Sequence, residues 1–479
     1  MEKRRQVLLC GALIATSEKI RQGALLIERE RIGRIWYADG NGLTEHNGEA
    51  VSLEALAGKL KSENSGLETV CLDGKVIMAG GIDAHVHFRE PGMTAKADMS
   101  SESRAALLGG ITSFIDMPNT NPPATSIDRI REKAALADGR SYANWGFHIG
   151  ADNENPDAIA SMLKANAAPR EFAAVKVFMG SSTGNMLVDH GVALEKLFSI
   201  ENARILIHSE DEATIKANLE KAVAEFGDDI PMKEHENIRS RQACIKSTIK
   251  ALELAMKHGT KLHVLHISTA EEIEMIRAAK QYNPNITAET SVNYLWFSDE
   301  DYDRLGSRMK CNPAIKTADD RAALRKALKE GIIDTIGSDH APHLAEEKER
   351  PYLRCPSGIP SIQQEIAVLL TVAAEEEIPL TRIASVISEN IADLLGIQDR
   401  GRIAEGAYAD LIIIDPDKEF VVGESDCGAA GAAYKCGWTP YAGAKLKGMV
   451  TDVYLNGTLA VQNGKLTDNI AKGKRLLFR

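Results

Sequence analysis

In the stretch Gly81-Ile82-Asp83-Ala84-His85-Val86-His87-Phe88-Arg89, two imidazoles stand two residues apart and a guanidinium follows two residues later. The apolar run from Val76 to Ala79 leads into them, so the segment reads as the end of a buried strand. Alternate residues of a strand share one side. His85 and His87 would then aim at one point, as the first two ligands of a metal ion must, and Arg89 would add a fixed cation beside it. Alone, such a pair serves equally well as two structural histidines on a strand. Other strand-like runs also end in groups that can do chemistry: Lys176, His208, His266 and Asp339. Imidazoles and a carboxylate suit zinc or a similar ion. Among them a lysine is out of place as an ammonium, but not if its amine has taken up carbon dioxide. The carbamate is anionic, has two oxygens and could bridge two metals. Burial lowers a lysine's pKa and supplies the neutral amine this addition needs. His148 and His263 read as structural, and His46, His190, His235 and His258 as solvated histidines of turns and polar faces.

These groups have to be carried on a frame that brings strand ends together. After Asp73, apolar runs alternate with longer helical patterns, the signature of βα units and a parallel sheet. The runs end at His85-Val86-His87, Phe114–Met117, Phe147–Ile149, Val175–Phe178, Ile205–His208, Val264–His266, Ile286–Glu289 and Thr335–Asp339. Eight such strands predict a (β/α)8 barrel, whose strand ends face one opening where catalytic groups gather. Helical patterns fill the gaps at 101–108, 127–137, 212–225, 238–257, 270–281, 318–329 and 362–374. Before Asp73 the chain alternates short apolar runs (7–9, 24–27, 32–36) with turns such as Asp39-Gly40-Asn41-Gly42, and carries a weak helical pattern at 52–61. Past Gly396 it returns to strands at 409–414 and 449–455, with Asn456-Gly457 as a hairpin turn before 459–461. The expected division is 1–75 and 401–479 as two parts of one β-sandwich, with 76–400 as the barrel.

At 479 residues the chain is long enough for both units. Its net charge of -11 gives no electrostatic reason to expect nucleic acid. Seven cysteines (Cys10, Cys71, Cys244, Cys311, Cys355, Cys427, Cys436) stand without Cys-x-x-Cys pairs, which argues for a reducing compartment. The apolar stretch after Arg5 is too short for a secretory signal, and no run reaches membrane-spanning length. A cytoplasmic protein, with no nucleic-acid or membrane partner, is expected.

Four stretches carry a resemblance: Gly81 to Gly92, Asp116-Met117-Pro118-Asn119-Thr120, Ser338-Asp339-His340-Ala341-Pro342-His343, and Gly401-Arg402-Ile403-Ala404-Glu405-Gly406. The chain resembles the amidohydrolase superfamily and, within it, the dihydroorotases, over nearly its whole length. The resemblance implies two divalent ions, most readily zinc. His85, His87 and Asp339 would hold one and His208 and His266 the other, with N6-carboxylated Lys176 as the bridge. It implies that Asp339 moves a proton from the attacking water to the leaving ring nitrogen. Dihydroorotate and N-carbamoyl-L-aspartate would be interconverted, a reaction of de novo pyrimidine biosynthesis. Arg89, Asn119 and His343 would contact the substrate carboxylate and Asn312 the ring; for Arg89 the forked donor geometry also suits a carboxylate.

Hydantoinases, dihydropyrimidinases and allantoinases share the cyclic-amide chemistry. The first two usually place a tyrosine five residues after the lysine, where this chain has Ser181, and lack an arginine at the position of Arg89. Allantoinases commonly have asparagine there. Two departures fall near the expected pocket. Ser291-Val292-Asn293-Tyr294 replaces a Pro-His-His strand end, and Ser361-Ile362-Gln363-Gln364 follows Pro360 unusually. A non-catalytic scaffold is the remaining alternative, and such homologues usually lose metal ligands. A homo-oligomer is the default expectation.

Overall fold

The fold is built around the short apolar runs noted above, which in the computed structural model become a ring of parallel strands. The structure describes residues 5–39, 42–44, 50–165, 169–181, 186–423, 428–468 and 470–479. Gly40, Asn41, His46 and Cys427 lie outside the described residues. The barrel strands are Gly81–Val86, Ile111–Asp116, Asn144–Phe147, Val175–Phe178, Arg204–His208, Lys261–Val264, Thr287–Ser291 and Thr335–Gly337. Each pairs in parallel with its sequence neighbour. The third strand breaks at His148 and resumes as Ile149–Gly150, which pairs with the fourth. Closure comes from a parallel bridge between Val86 and His340, with the His87 amide donating to the His340 carbonyl at 2.8 Å. The eight expected strands are therefore the eight observed.

Helices cover the outside, and their starts follow the local chemistry. Asp98 accepts from the Ser100 and Ser101 amides to open Met99–Leu108, and Thr317 accepts from the Asp320 amide to open Ala318–Glu330. Such caps satisfy amides that have no partner within the helix. Gly331 ends the second of these in the left-handed region (φ +82°), where a side chain would be strained. Helices at Pro156–Ala165 and Gly191–Phe198 were not anticipated.

The two terminal segments meet in one β unit, as expected. A single sheet runs through it, with strand order from Lys465–Leu466 by way of Leu411–Val421 and Val76–Ala79 to the strand Gln6–Ala15 and beyond. Alternation sorts its residues: Leu9, Leu25, Ile27, Ile77, Leu411 and Ile413 share one apolar cluster, whereas Leu8, Ala24, Leu26 and Trp36 share another with Leu56 and Leu60 of the helix Leu53–Glu63. The run Val76–Ala79 belongs to this sheet and is not the lead-in of the histidine strand. Gly80 separates the two, because a Cβ there would lie 2.3 Å from Thr112 Oγ1. The loop between Leu411–Val421 and Lys445–Leu455 leaves the sheet and lays Tyr434, Trp438 and Tyr441, all buried, against the barrel. Among the described residues no helix is long and apolar enough to cross a membrane.

Inside the barrel, Asp83 links the first and eighth strands. It accepts from the His85 amide at 2.9 Å and the Ser338 amide at 3.3 Å, and also from the Ser338 hydroxyl. Burial raises its carboxyl, and fully buried Glu365 is raised well above the usual range by burial and then by Asp83. A raised carboxyl stabilises the fold below its unfolded pKa, and that contribution is lost as pH climbs through the folded value. Glu365→Gln imitates the neutral form. It should match the parent in urea melts at pH 4 and exceed it at pH 8.

Candidate active site

His85 lies on the first strand, but His87 and Arg89 come after it ends at Val86. Strand alternation therefore does not aim Arg89. Its backbone turns into the left-handed region (φ +64°), as do those of His266 (+39°) and Asp339 (+48°), each just past its own strand. Non-glycine residues adopt this region at a cost and cluster where surroundings enforce it, typically at functional sites. The loop around Arg89 is held firmly. The Phe88 amide donates to Asp116 Oδ1 at 2.8 Å, and buried Lys133 pairs with Asp116 Oδ2 at 2.6 Å.

A cavity at the barrel mouth is lined by nine of the ten residues singled out from the sequence: His85, His87, Arg89, Asn119, Lys176, His208, His266, Asn312 and Asp339. His343 stands behind Arg89, with its Nε2 3.1 Å from Arg89 Nη2. Asp339 Oδ1 is 3.3 Å from His85 Nε2 and 3.2 Å from His87 Nε2. Ligand-type atoms of these three residues all fall within 4.8 Å of one another. Across the mouth, His208 Nδ1 is 2.9 Å from His266 Nε2, and the His85 and His266 ring centroids are 5.3 Å apart. Lys176 is fully buried among them.

Three of the four rings have an acceptor on their outer nitrogen. His85 Nδ1 meets Glu289 Oε1 at 2.6 Å, His87 Nδ1 meets Asn119 Oδ1 at 2.7 Å, and His208 Nε2 meets Glu210 Oε2 at 2.8 Å. Each acceptor fixes the ring proton outside and leaves the inner nitrogen's lone pair facing the cavity. Lone pairs turned toward each other and toward a carboxylate call for a cation between them, so these residues fit divalent metal ions.

The electrostatics point the same way. Burial pushes His87 down to about 4 and His266 well below its ordinary value, so both rings are neutral at pH 7. Burial also brings Lys176 down to about 7, despite the opposing charges of Asp339 and Glu289. Burial works to raise Asp339, but its contacts with His85, His87 and Lys176 outweigh it and hold the carboxyl below its usual range. Arg89, 2% exposed, is lowered by burial to about 10 and remains a cation.

Several functional neighbours were not foreseen from sequence. Glu289 and Glu210 orient ligand-type histidines, and Arg239 pairs with Glu210. Glu289 ends the expected seventh strand and so stood within reach of the argument; Glu210, two residues beyond His208, did too. Asn293, at the unusual strand end, donates to the Ser338 carbonyl at 3.1 Å and accepts from the Tyr441 hydroxyl at 2.7 Å. It therefore ties the residue before Asp339 to the loop from the terminal β unit. His235, expected to be solvated, is buried between the Tyr352 hydroxyl (2.7 Å) and the Cys311 carbonyl (2.8 Å). The short helix His235–Ile238 packs under a loop that sequence alone did not place there.

Residues 76–460 match the family model described as "Amidohydrolase family". A protein named dihydroorotase from Halobacterium salinarum is 32% identical over 371 residues, covering 77% of this chain and 82% of its own length. One of the same name from Methanosarcina mazei is 34% identical over 381 residues, covering 77% and 80%. An allantoinase from Rubrobacter xylanophilus is 29% identical over 420 residues, covering 85% and 89%. Among solved structures, the L-hydantoinase (dihydropyrimidinase) from Arthrobacter aurescens superposes with a TM-score of 0.85 at 25% identity, covering 98% of this chain and 99% of that one.

Proposed function

Because the chain belongs to the amidohydrolase family and is a hydrolase of cyclic amides, we propose that its substrate is the acidic ring dihydroorotate, opened reversibly to N-carbamoyl-L-aspartate. The observation that carries this reading is Arg89: a buried guanidinium on the cavity wall, beside the histidine–aspartate cluster. Its Nε donates to the Pro342 carbonyl at 3.1 Å, which sets the orientation of the fork. A planar fork matches a carboxylate, and dihydroorotate carries one where hydantoin and dihydrouracil do not. The relatives named dihydroorotase support the same choice.

His85, His87 and Asp339 would hold one divalent ion and His208 and His266 a second, with carboxylated Lys176 between them; zinc suits this donor set. Bound there, the ions supply Lewis acidity and bring the pKa of water to roughly 7. Asp339, ionised and facing both His85 and His87, takes the proton of the attacking water and delivers it to the ring nitrogen as that bond breaks. The reverse path uses the same carboxylate to remove a proton from the closing nitrogen. Asn312 Oδ1 is buried with no hydrogen-bond partner among the described residues and stands at the cavity as an acceptor for a ring N–H. Asn119 lines the cavity too, while its carbonyl orients His87. The proposal includes a cytoplasmic homo-oligomer, closed symmetric assemblies being the usual form of soluble oligomers.

Side-by-side assays with dihydroorotate, hydantoin, dihydrouracil and allantoin test the substrate. The acidic ring should be turned over with the highest kcat/KM; a preference for any of the other three overturns the proposal. Glu289→Gln should weaken divalent-metal binding about 10- to 100-fold, because Glu289 holds the proton of His85 outward. Equilibrium dialysis against zinc measures this, and unchanged affinity would assign Glu289 to the barrel core alone.

A further inference from the structure

We infer that the Lys348 ammonium fastens the cavity wall formed by Ser357 and Gly358 to the segment that carries Asn312, and so positions a part of the site that holds no metal ligand. The inference rests on the reading of this cavity as the place where the substrate ring binds. Lys348 ends the short helix Ala345–Lys348 and is 1% exposed. Its Nζ donates to the carbonyls of Lys310 (2.9 Å), Pro356 (3.0 Å) and Gly358 (3.0 Å). Pro356 and Gly358 flank Ser357, and Lys310 lies two residues before Asn312. Ser357, Gly358 and Asn312 line the cavity, and Lys348 does not.

An ammonium has three N–H donors and no acceptor, so three carbonyls use it completely. Burial brings the amine down to about 8, and it remains a cation at pH 7. A buried cation is costly beside an apolar chain of the same length; the contacts, not the filling of space, are what this lysine adds. They hold the wall on both sides of Ser357. The Gly358 amide also donates to the Lys310 carbonyl at 2.9 Å, and the Ser357 carbonyl is 3.1 Å from His343 Nε2. On the Pro356 side the other contact is the Cys355 thiol, at 3.6 Å from the carbonyl. The wall has little room to shift: a Cβ on Gly358 (φ +139°) would lie 2.5 Å from the Ala341 carbonyl, and Ala341 lines the cavity too. Lys310 provides an internal comparison. Its side chain is also buried, and its Nζ donates to the Tyr352 (2.7 Å) and Cys355 (2.6 Å) carbonyls and lies 4.0 Å from the Tyr352 ring centroid. Neither of those residues lines the cavity. Lys310 thus anchors the same loop farther from the wall.

The test compares Lys348→Met with Lys310→Met in the metal-loaded, full-length enzyme. Both remove a buried ammonium from the same loop, so both should lower the urea midpoint. In Lys348→Met, KM for dihydroorotate should rise about tenfold while kcat stays within about threefold and bound zinc stays at the parental level, the loss of charge-assisted contacts behind the wall. In Lys310→Met, KM should stay within about threefold. Arg354 is exposed in this loop, and trypsin cleavage after it, followed by mass spectrometry, reads the loop directly. Cleavage should be faster in Lys348→Met, and the equilibrium mixture of dihydroorotate and N-carbamoyl-L-aspartate should slow it again, because ligand and wall support each other. In Lys310→Met the mixture should leave the cleavage rate unchanged. An unchanged KM in Lys348→Met, equal rises in the two variants, loss of zinc, or cleavage indifferent to ligand in Lys348→Met overturns the inference. Lys348→Gln, which keeps N–H donors, takes the place of a methionine variant that does not fold, under the same comparisons. If the parent does not turn over dihydroorotate, the substrate reading fails separately, and the comparisons are made with whichever of the four assayed rings the parent opens.

Discussion

Replacing Arg89 with methionine should raise KM for dihydroorotate by about 100- to 1,000-fold, the usual cost of leaving a buried charge unpaired, with bound metal at the parental level. Methionine keeps much of the length and adopts the same positive φ with no more strain than arginine already bears. It also removes a cation that burial has already weakened to about 10, so the fold should not suffer. Kinetics on dihydroorotate and dihydrouracil, together with metal analysis, read the result. The acid-bearing ring alone should be affected. Equal losses on both rings, accompanied by loss of metal, would make Arg89 a structural residue.

Asp339→Asn should lower kcat by about 10³-fold or more while leaving the circular dichroism spectrum unchanged. The carboxylate is ionised at neutral pH, since its contacts with His85, His87 and Lys176 outweigh the burial that would raise it. An amide cannot take up the proton that this position must move, and such transfers are worth about 10²- to 10⁴-fold; a weakened ligand set adds to the loss. Asparagine tolerates the left-handed backbone at this residue (φ +48°) better than most residues do, which separates chemistry from folding. Retention of more than a tenth of the parental kcat would require another proton carrier.

The barrel was legible because buried parallel strands read as apolar runs and each run ends in a polar group at the same side of the ring. Asn144–Phe147 and Thr335–Gly337 are only a few residues long, yet both were found by this rule. Helices at 156–165 and 191–198 escaped it because each is short, and in the first only Pro156 and Ile159 are buried. At the site, residue types at strand ends sufficed to gather the histidines, Lys176 and Asp339. Orientation was not legible. Arg89, His266 and Asp339 reach the cavity through backbone turns of positive φ, which no spacing encodes. Nor could spacing show that Asn119 holds His87, that His343 backs Arg89, or that His235 is buried under residues 117 positions away. Glu289, which fixes the His85 proton, and Asn119, which fixes that of His87, come from remote parts of the chain, and only the closed barrel brings them near.

The loop that carries Tyr434, Trp438 and Tyr441 has a wider meaning for how this chain can be cut or evolved. Trp438 Nε1 donates to the His343 carbonyl at 2.8 Å, and the Tyr441 hydroxyl reaches Asn293. Support behind the catalytic face is thus borrowed from a segment that follows the barrel in the sequence. A barrel excised at its last helix would keep its proposed ligands yet lose the brace behind them.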